Sequence, residues 1–281
     1  GGLDLKGNPI KISRVQDVTD YMEMKKEYVA KNYPKVLELA EYALKNYPKT
    51  VFKNELMLYQ IRALHYEEEH EKLIEAGKQF LRLYSSDPNM AEVLAYMGNA
   101  YGAIGQIADA DYFFDRLFNE QEESPFASLG MIYKAQLLEN SGSSSQAMTY
   151  YQRALSTSSD VGIASKAAFR LAQIELSNGN TKKAAYYIEK ITSANPKYLK
   201  EVLDDAMLMA DGFYDRNDPK TALRITEALL SIIDSKSSQH PILLKNLGFQ
   251  YAKAGKQNEA LKRFNEYLEN YKYGEFVEEV R

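Results

Sequence analysis

Two series of small or apolar residues recur along the chain at a nearly constant spacing. The first series is Met24, Ile61, Gly98, Ala135, Ala172, Ala210 and Gly248. The second follows twelve residues behind each member of the first and is Val36, Leu73, Ala110, Ala147, Ala184, Ala222 and Ala260. Successive members of either series lie 37 or 38 residues apart. We therefore predict seven internal repeats.

Around each member of the first series, apolar residues are spaced three or four positions apart, as on one face of a helix. From the third repeat onward the first-series residue is always Gly or Ala. A helix that excludes bulk at one position is crossed closely by a neighbour there. Each repeat is therefore predicted to contain a helix A, a tight turn and a helix B.

Turn-forming residues support these boundaries. Residues that tolerate a left-handed backbone end the predicted helix A of the last five repeats, and they are Gly105, Gly142, Gly179, Asn217 and Gly255. Prolines fall outside the predicted helix interiors, with Pro125 and Pro241 expected between a helix B and the next helix A. Asp218 before Pro219 is a predicted N-cap of a helix B.

These positions resemble the tetratricopeptide repeat (TPR) family over about residues 17–270. The resemblance rests on Met97-Gly98-Asn99-Ala100-Tyr101 with Gly105, Ala110 and Phe114, and on Leu247-Gly248-Phe249-Gln250-Tyr251 with Gly255, Ala260 and Phe264. It implies an all-α fold, a right-handed α-solenoid or superhelix of seven helix-turn-helix repeats. The period exceeds the family's value of about 34 residues, so the extra residues are expected in helix B or in the junction after it. The bulkier Met24 and Ile61 imply a wider helix crossing in the first two repeats.

Two segments lie outside the repeats. Residues 1–16 alternate apolar and polar side chains around a Gly-Asn-Pro turn and are expected to form an extended leader, as at the end of a preceding domain. Residues 271–281 are expected to start an eighth repeat or to form a capping helix. Because the chain opens on Gly1 and stops within a repeat, we expect the native protein to continue at both ends.

Composition excludes several classes of protein. There are no cysteines, which excludes disulfides, thiol nucleophiles and Cys-ligated zinc and slightly favours the periplasm over the cytoplasm. Residues 91–160 carry 3 basic and 9 acidic groups, which disfavours nucleic acid as a partner. Mean hydropathy is −0.47, and the sequence has no apolar run of about 18 residues, so no membrane span is predicted.

Motifs that resemble catalytic or ligand sites have simpler interpretations. His65 and His70 are five residues apart, whereas two zinc ligands on one helix need a spacing of about four, so an acidic, solvated helix end is expected there. The glycines at 98, 102 and 105 resemble a phosphate loop but lie within helix A with no preceding strand, which favours helix packing and a turn. We predict no catalytic, cofactor-binding or metal-binding site, and hence a protein that is not an enzyme.

The TPR resemblance implies that helix A of each repeat lines a concave groove and that the residue after the first-series position points into it. In three successive repeats this residue is an amide, Asn99, Gln136 and Gln173. Such a row can follow the main chain of an extended peptide, because an amide both donates and accepts; alternatively, the three side chains only keep the groove solvated. The predicted partner contacts are Tyr28, Arg62, Tyr66, Asn99, Gln136, Phe169, Gln173, Asp211 and Tyr214.

The predicted function is a non-catalytic protein-protein interaction scaffold that binds an extended peptide or a helix of another protein without a cofactor. Aromatic side chains beside Arg62 make one end of the groove aromatic and basic, and Asp211 with its neighbours makes the other end apolar and acidic. The alternative is a structural spacer or oligomerising arm in a bacterial envelope assembly, such as outer-membrane assembly or a flagellar motor accessory. Self-association would then use the uncapped ends.

Overall fold

The structure, a computed structural model, describes residues 5–6 and 12–281, with backbone only for 12–15. Every regular element in this part of the chain is a helix. The helices are α1 Ile12–Val29, α2 Tyr33–Asn46, α3 Lys53–Tyr66, α4 His70–Leu83, α5 Met90–Ala103, α6 Ile107–Glu120, α7 Pro125–Asn140, α8 Ser144–Thr157, α9 Val161–Ser177, α10 Thr181–Ala194, α11 Tyr198–Glu201, α12 Leu203–Asp215, α13 Pro219–Ile232, α14 His240–Lys253, α15 Gln257–Asn270 and α16 Val277–Val280.

The predicted helix-turn-helix repeats are confirmed, with α1 and α2 as helices A and B of the first repeat. All seven helices B span 14 residues, so the difference between 37- and 38-residue repeats does not come from helix B. In the sixth repeat, helix A is broken into α11 and α12 at Val202, where φ is −121°. The sequence predicts one continuous helix there. The break lies between Ala184 and Ala210, the stretch that holds the extra residue of the first 38-residue step.

The start of the first repeat also differs from the prediction. Helix α1 begins at Ile12, inside the segment 1–16 that was expected to be extended. Helix α1 thus takes up the last residues of the expected leader, while residues 1–4 and 7–11 lie outside the described part of the chain.

The turn after helix A is the same in all seven repeats. Positive φ angles, as predicted, are found at Gly105, Gly142, Gly179, Asn217 and Gly255, and also at Lys31 (61°) and Glu68 (55°) in the first two repeats. In each turn the N–H of the following residue donates to the carbonyl oxygen five residues earlier, as from Gln106 to Tyr101 at 2.9 Å. This is the Schellman closure of a helix C-terminus. The first two repeats therefore force a left-handed backbone on residues that disfavour it.

Proline positions are partly as predicted. Asp218 caps α13, because its Oδ1 accepts from the backbone N–H of Thr221 at 3.1 Å. Pro125 and Pro241 lie in the first turns of α7 and α14, not between helices as predicted. A first-turn proline removes no helical hydrogen bond, which explains why helix A can begin on it.

The chain divides into two compact units, Gly1–Ala147 and Met148–Arg281, here called unit 1 and unit 2. The close helix crossing predicted at the first series is found in both units. A Cβ on Gly98 would lie 2.5 Å from Phe114 Cε1 in unit 1, and one on Gly248 would lie 2.4 Å from Phe264 Cε1 in unit 2. All members of both series are buried. In the third and seventh repeats, helix A thus packs through its glycine onto a phenylalanine ring of its own helix B.

The segment after α15 forms a turn and the short helix α16. Its two valines, Val277 and Val280, are buried against Leu244 and Tyr267. This packing places α16 beside α14, where it contributes to a pocket described below. None of the described helices combines the length and apolarity that crossing a membrane requires.

Candidate protein-binding surface

Aromatic side chains of helix A form a cluster in unit 1. Tyr59, Tyr96 and Tyr133 occupy one repeat position, two residues before the first series. The predicted contacts Tyr28 and Tyr66 join this cluster, since the ring of Tyr28 lies edge-on to Tyr59 at 5.0 Å and 6.4 Å from that of Tyr66. The structure therefore brings these two predicted residues together, with Tyr66 half exposed at the edge of the cluster.

A buried ion pair lies within the cluster. Arg62 on α3 donates from Nε and Nη2 to the two carboxylate oxygens of Glu92 on α5, at 2.8 Å each. Glu92 is only 3% exposed and also accepts from the Tyr96 hydroxyl at 3.0 Å. Burial by itself lowers the pKa of Arg62, but the hydrogen bonds and charge of Glu92 outweigh this and raise it. The groove end expected to be basic at Arg62 is therefore neutralised within the chain.

His65 belongs to the same cluster. Its ring stacks on Tyr96 with 4.0 Å between centroids, and its Nε2 lies 3.3 Å from the Tyr133 hydroxyl. The predicted acidic, solvated helix end is found at Glu67 to Glu69, which are exposed, whereas His65 is only partly exposed because it packs on these rings. Burial raises the pKa of Tyr96 and Tyr133, so both hydroxyls stay protonated at neutral pH. Among the described residues no group of three or more His, Asp or Glu side chains could hold a metal ion.

Two of the three predicted ladder amides share one pocket in unit 1. Asn99 on α5 and Gln136 on α7 line a cavity of about 120 Å³ together with Asn140 and Tyr133. Neither the Asn99 nor the Gln136 side chain hydrogen-bonds to another described residue, and both are partly exposed. Gly98 and Gly102 form part of the pocket wall, which lets the pocket reach the backbone of α5. The pocket thus presents unpaired amides from successive helices A.

The third ladder amide and the predicted Phe169 lie in unit 2. Gln173 accepts a hydrogen bond from Arg170 Nη1 at 3.0 Å, within the same helix α9. Phe169 is 3% exposed and packs edge-on to Tyr198 at 6.1 Å. Phe169 is therefore a core residue with little surface for a partner, whereas Gln173 keeps its own amide N–H groups for other contacts.

The last two predicted contacts, Asp211 and Tyr214 on α12, also share a pocket. It has a volume of about 330 Å³, and its other lining residues are Asn246, Phe249, Gln250 and Glu279. Burial and the nearby charge of Asp215 raise the pKa of Asp211, and Lys245 opposes this shift. A cation in this pocket would stabilise the charged form of Asp211.

Sequence reasoning missed three features of these surfaces. The tyrosines 59, 96 and 133 could have been found, because they recur at 37-residue steps like the ladder amides. Glu92 and Gln250 follow no series, and only the structure reveals that both are buried polar residues on helix A.

Comparisons with known proteins agree with the repeat. The sequence model of the tetratricopeptide repeat-like domain matches residues 98–212. No curated protein sequence matches the chain.

Three solved structures are similar to this chain at low sequence identity. PilW, described as a widely conserved type IV pilus biogenesis factor, is 17% identical over 97% of this chain and 99% of its own, with a TM-score of 0.49. The C-terminal part of a TPR repeat-containing protein from Cytophaga hutchinsonii is 16% identical over 74% of this chain and 77% of its own, at 0.49. A tetratricopeptide repeat protein from Parabacteroides merdae is 13% identical over 94% and 96%, at 0.47. The predicted resemblance is confirmed for residues 98–212, which match the tetratricopeptide repeat-like domain.

Proposed function

We propose that this chain is a non-catalytic scaffold that holds an extended segment of a partner protein against its helices A. The observation that carries the proposal is the pocket in unit 1 where Asn99 and Gln136, from successive helices A, present unpaired amides. A partner main chain has one donor and one acceptor per residue. Two amides with both functions can bind it whatever its side chains are.

The surroundings of these amides suit a peptide as the ligand. Tyr133 and Asn140 line the same cavity, so a bound main chain would meet several polar groups at once. The aromatic cluster at Tyr28 and Tyr66 lies on preceding helices of unit 1 and supplies apolar area for side chains of the partner. Hydrogen bonds to the main chain would fix the segment, and the rings would supply contact area.

Site-specific photo-crosslinking tests which surface the partner contacts. A photoreactive residue at Ala103, which is exposed and lines the amide pocket, is expected to crosslink the partner when the full-length protein is expressed in its own cell. The matched control is the same residue at Tyr112, which is 56% exposed on the helix B α6. Crosslinks at Tyr112 alone, or only between copies of the chain, would favour the alternative of a spacer or oligomerising arm.

A pair of amide substitutions then tests the mechanism. Asn99→Ala with Gln136→Ala should weaken binding of the crosslinked partner by about tenfold, the loss expected for two or three hydrogen bonds, and leave the melting temperature unchanged. The control pair is Asn119→Ala with Gln146→Ala, which removes two exposed amides from helices B of the same unit. Equal affinity in both pairs would contradict the proposal.

The proposal includes a compartment. A chain without cysteine suits an oxidising space such as the bacterial periplasm. Fractionation of cells that express the full-length protein would check this, and a cytoplasmic location would remove the envelope assembly from consideration while leaving the scaffold intact.

A further inference from the structure

Gln250 has a buried side-chain amide whose oxygen is unpaired. It lies on α14, is 2% exposed, and its Oε1 accepts no hydrogen bond from the described part of the chain. Buried side-chain oxygens are nearly always paired, because an unpaired one loses its water without replacement. Gln250 lines the pocket of about 330 Å³ in unit 2, so a rotation of its amide would bring Oε1 to a donor of a ligand in that pocket.

The same pocket has a carboxylate that no described residue contacts. Asp211 forms neither a hydrogen bond nor an ion pair with any described residue, and Asp215 adds a second negative charge nearby. The local lysines have other contacts. Lys245 lies 3.4 Å from Glu279 and 4.1 Å from the Phe276 ring centroid, and Lys253 lies 4.0 Å from the ring centroid of Tyr214. The pocket therefore has negative charge and an unused acceptor.

Aromatic rings complete the lining. Tyr214 on α12 and Phe249 on α14 are both partly exposed and both border the cavity. A planar guanidinium can donate to a carboxylate and an amide oxygen at once while its face lies on a ring. An ammonium group is more compact and more strongly hydrated, so it is less suited to contact the carboxylate, the amide oxygen and a ring face together.

We propose that the pocket between α12, α14 and α16 binds an arginine side chain, with Asp211 and Gln250 Oε1 as acceptors and Tyr214 or Phe249 as the stacking surface. The inference rests on the proposed function, because the arginine belongs to the partner segment. It adds a chemical requirement to that function: the part of the partner that reaches unit 2 must be basic.

A small arginine probe tests the pocket directly. Nα-acetyl-arginine N-methylamide should shift the amide resonances of α12 and α14 in the ¹⁵N-labelled chain, with a Kd of about 1 to 10 mM for a single side chain. The citrulline analogue has the same shape without the charge and should bind at least about tenfold more weakly. Equal binding of the two probes, or shifts confined to other helices, would overturn the proposal.

Gln250→Met separates a ligand-binding role from a structural one. The variant keeps the volume and removes the unpaired acceptor, so we expect weaker binding of the arginine probe together with a melting temperature higher by about 2 °C. Gln257→Met on α15, at an exposed glutamine, should change neither value. A lower melting temperature in Gln250→Met with unchanged probe binding would show that Gln250 serves the fold, and would refute the inference.

The two proposals can fail independently, since the probe reports on unit 2 and the Ala103 crosslink on unit 1. Crosslinking at Ala103 without discrimination between arginine and citrulline would leave the scaffold and remove the arginine site. Binding of the arginine probe without a crosslink at Ala103 would support the pocket and remove the amide surface.

Discussion

Units 1 and 2 share one repeat, yet the residue after the first-series position has opposite surroundings in the second repeat, which lies in unit 1, and in the sixth repeat, which lies in unit 2. In unit 1 this residue is Arg62, and the next helix A supplies Glu92 to pair with it. In unit 2 it is Asp211, and the next helix A supplies the amides Asn246 and Gln250 but no cation in contact with it. A charged side chain at this repeat position can therefore be paired within the chain or remain open to a ligand.

The two units also differ in whether the buried polar atoms of helix A are hydrogen-bonded. Glu92 has both carboxylate oxygens bound by Arg62 and a further hydrogen bond from Tyr96. On helices A of unit 2, Glu175 Oε2 and Gln250 Oε1 are buried without a partner among the described residues, whereas helices A of unit 1 have one such atom, Asp17 Oδ1. We conclude that the Arg62–Glu92 network of unit 1 stabilises the fold, whereas Asp211 and Gln250 Oε1 of unit 2 are left without a partner among the described residues.

The largest effect is expected from Arg62→Ala in unit 1. It leaves the Glu92 carboxylate buried without its cation and should lower the free energy of unfolding by about 3 to 5 kcal/mol, measured by urea denaturation. Removing both charges, in Arg62→Met with Glu92→Leu, should recover most of this loss. The control in unit 2 is Arg224→Ala, whose pair with Glu189 is half exposed and should contribute less than about 0.5 kcal/mol. Similar losses from both alanine variants would contradict the contrast between the units.

The second prediction tests what the units have in common. Gly98→Ala in unit 1 and Gly248→Ala in unit 2 each force a Cβ into a phenylalanine ring of helix B and should each cost about 1 to 3 kcal/mol. Gly102→Ala is the matched control, because its Cβ would only approach the end of the Leu137 side chain, at 3.3 Å, and alanine favours the helix. Unequal costs at Gly98 and Gly248 would mean that the helix crossing differs between the units.

The repeat made the fold predictable. Periodic positions specify helices A and B, and the glycines specify the turns, because the two helices of each repeat pack in the same way. The positive φ angles of Lys31 and Glu68 were not predicted, because neither residue type favours them. The backbone geometry that all repeats share imposes them there. The helix break at Val202 was not predicted, because the local apolar pattern continues through it.

The candidate site was less predictable for a different reason. Its members were found where they follow the 37-residue series, as Asn99 and Gln136 do. The pairing of Arg62 with Glu92 joins positions 30 residues apart, which is not a repeat spacing. Whether a side chain such as Phe169 faces the partner or the core depends on how neighbouring helices pack, and its apolar character is compatible with both.

A smaller effect is expected at the strained turns, which are confined to unit 1. Lys31→Gly and Glu68→Gly relieve left-handed backbone at φ angles of 61° and 55° and should each raise the free energy of unfolding by about 1 kcal/mol. In unit 2 the equivalent change Asn217→Gly should gain less, because asparagine tolerates this region. Thermal melts of the three variants would check the order, and a loss of stability in Lys31→Gly would contradict it.

The smallest effect is expected from Asp211→Asn in unit 2. Burial and the charge of Asp215 raise the pKa of Asp211 in the folded chain, so its ionisation costs stability at neutral pH. This cost disappears as the pH falls through the raised folded-state pKa toward the ordinary aspartate value. Asp211→Asn should therefore melt slightly higher than the unsubstituted chain at pH 7, by less than Lys31→Gly does, and equally at pH 3. Asp204→Asn, at an aspartate in the first turn of the same helix, is the control. If the gain persisted at pH 3, or if both variants gained equally, the carboxylate of Asp211 would not be the charge that unit 2 leaves open for a cation.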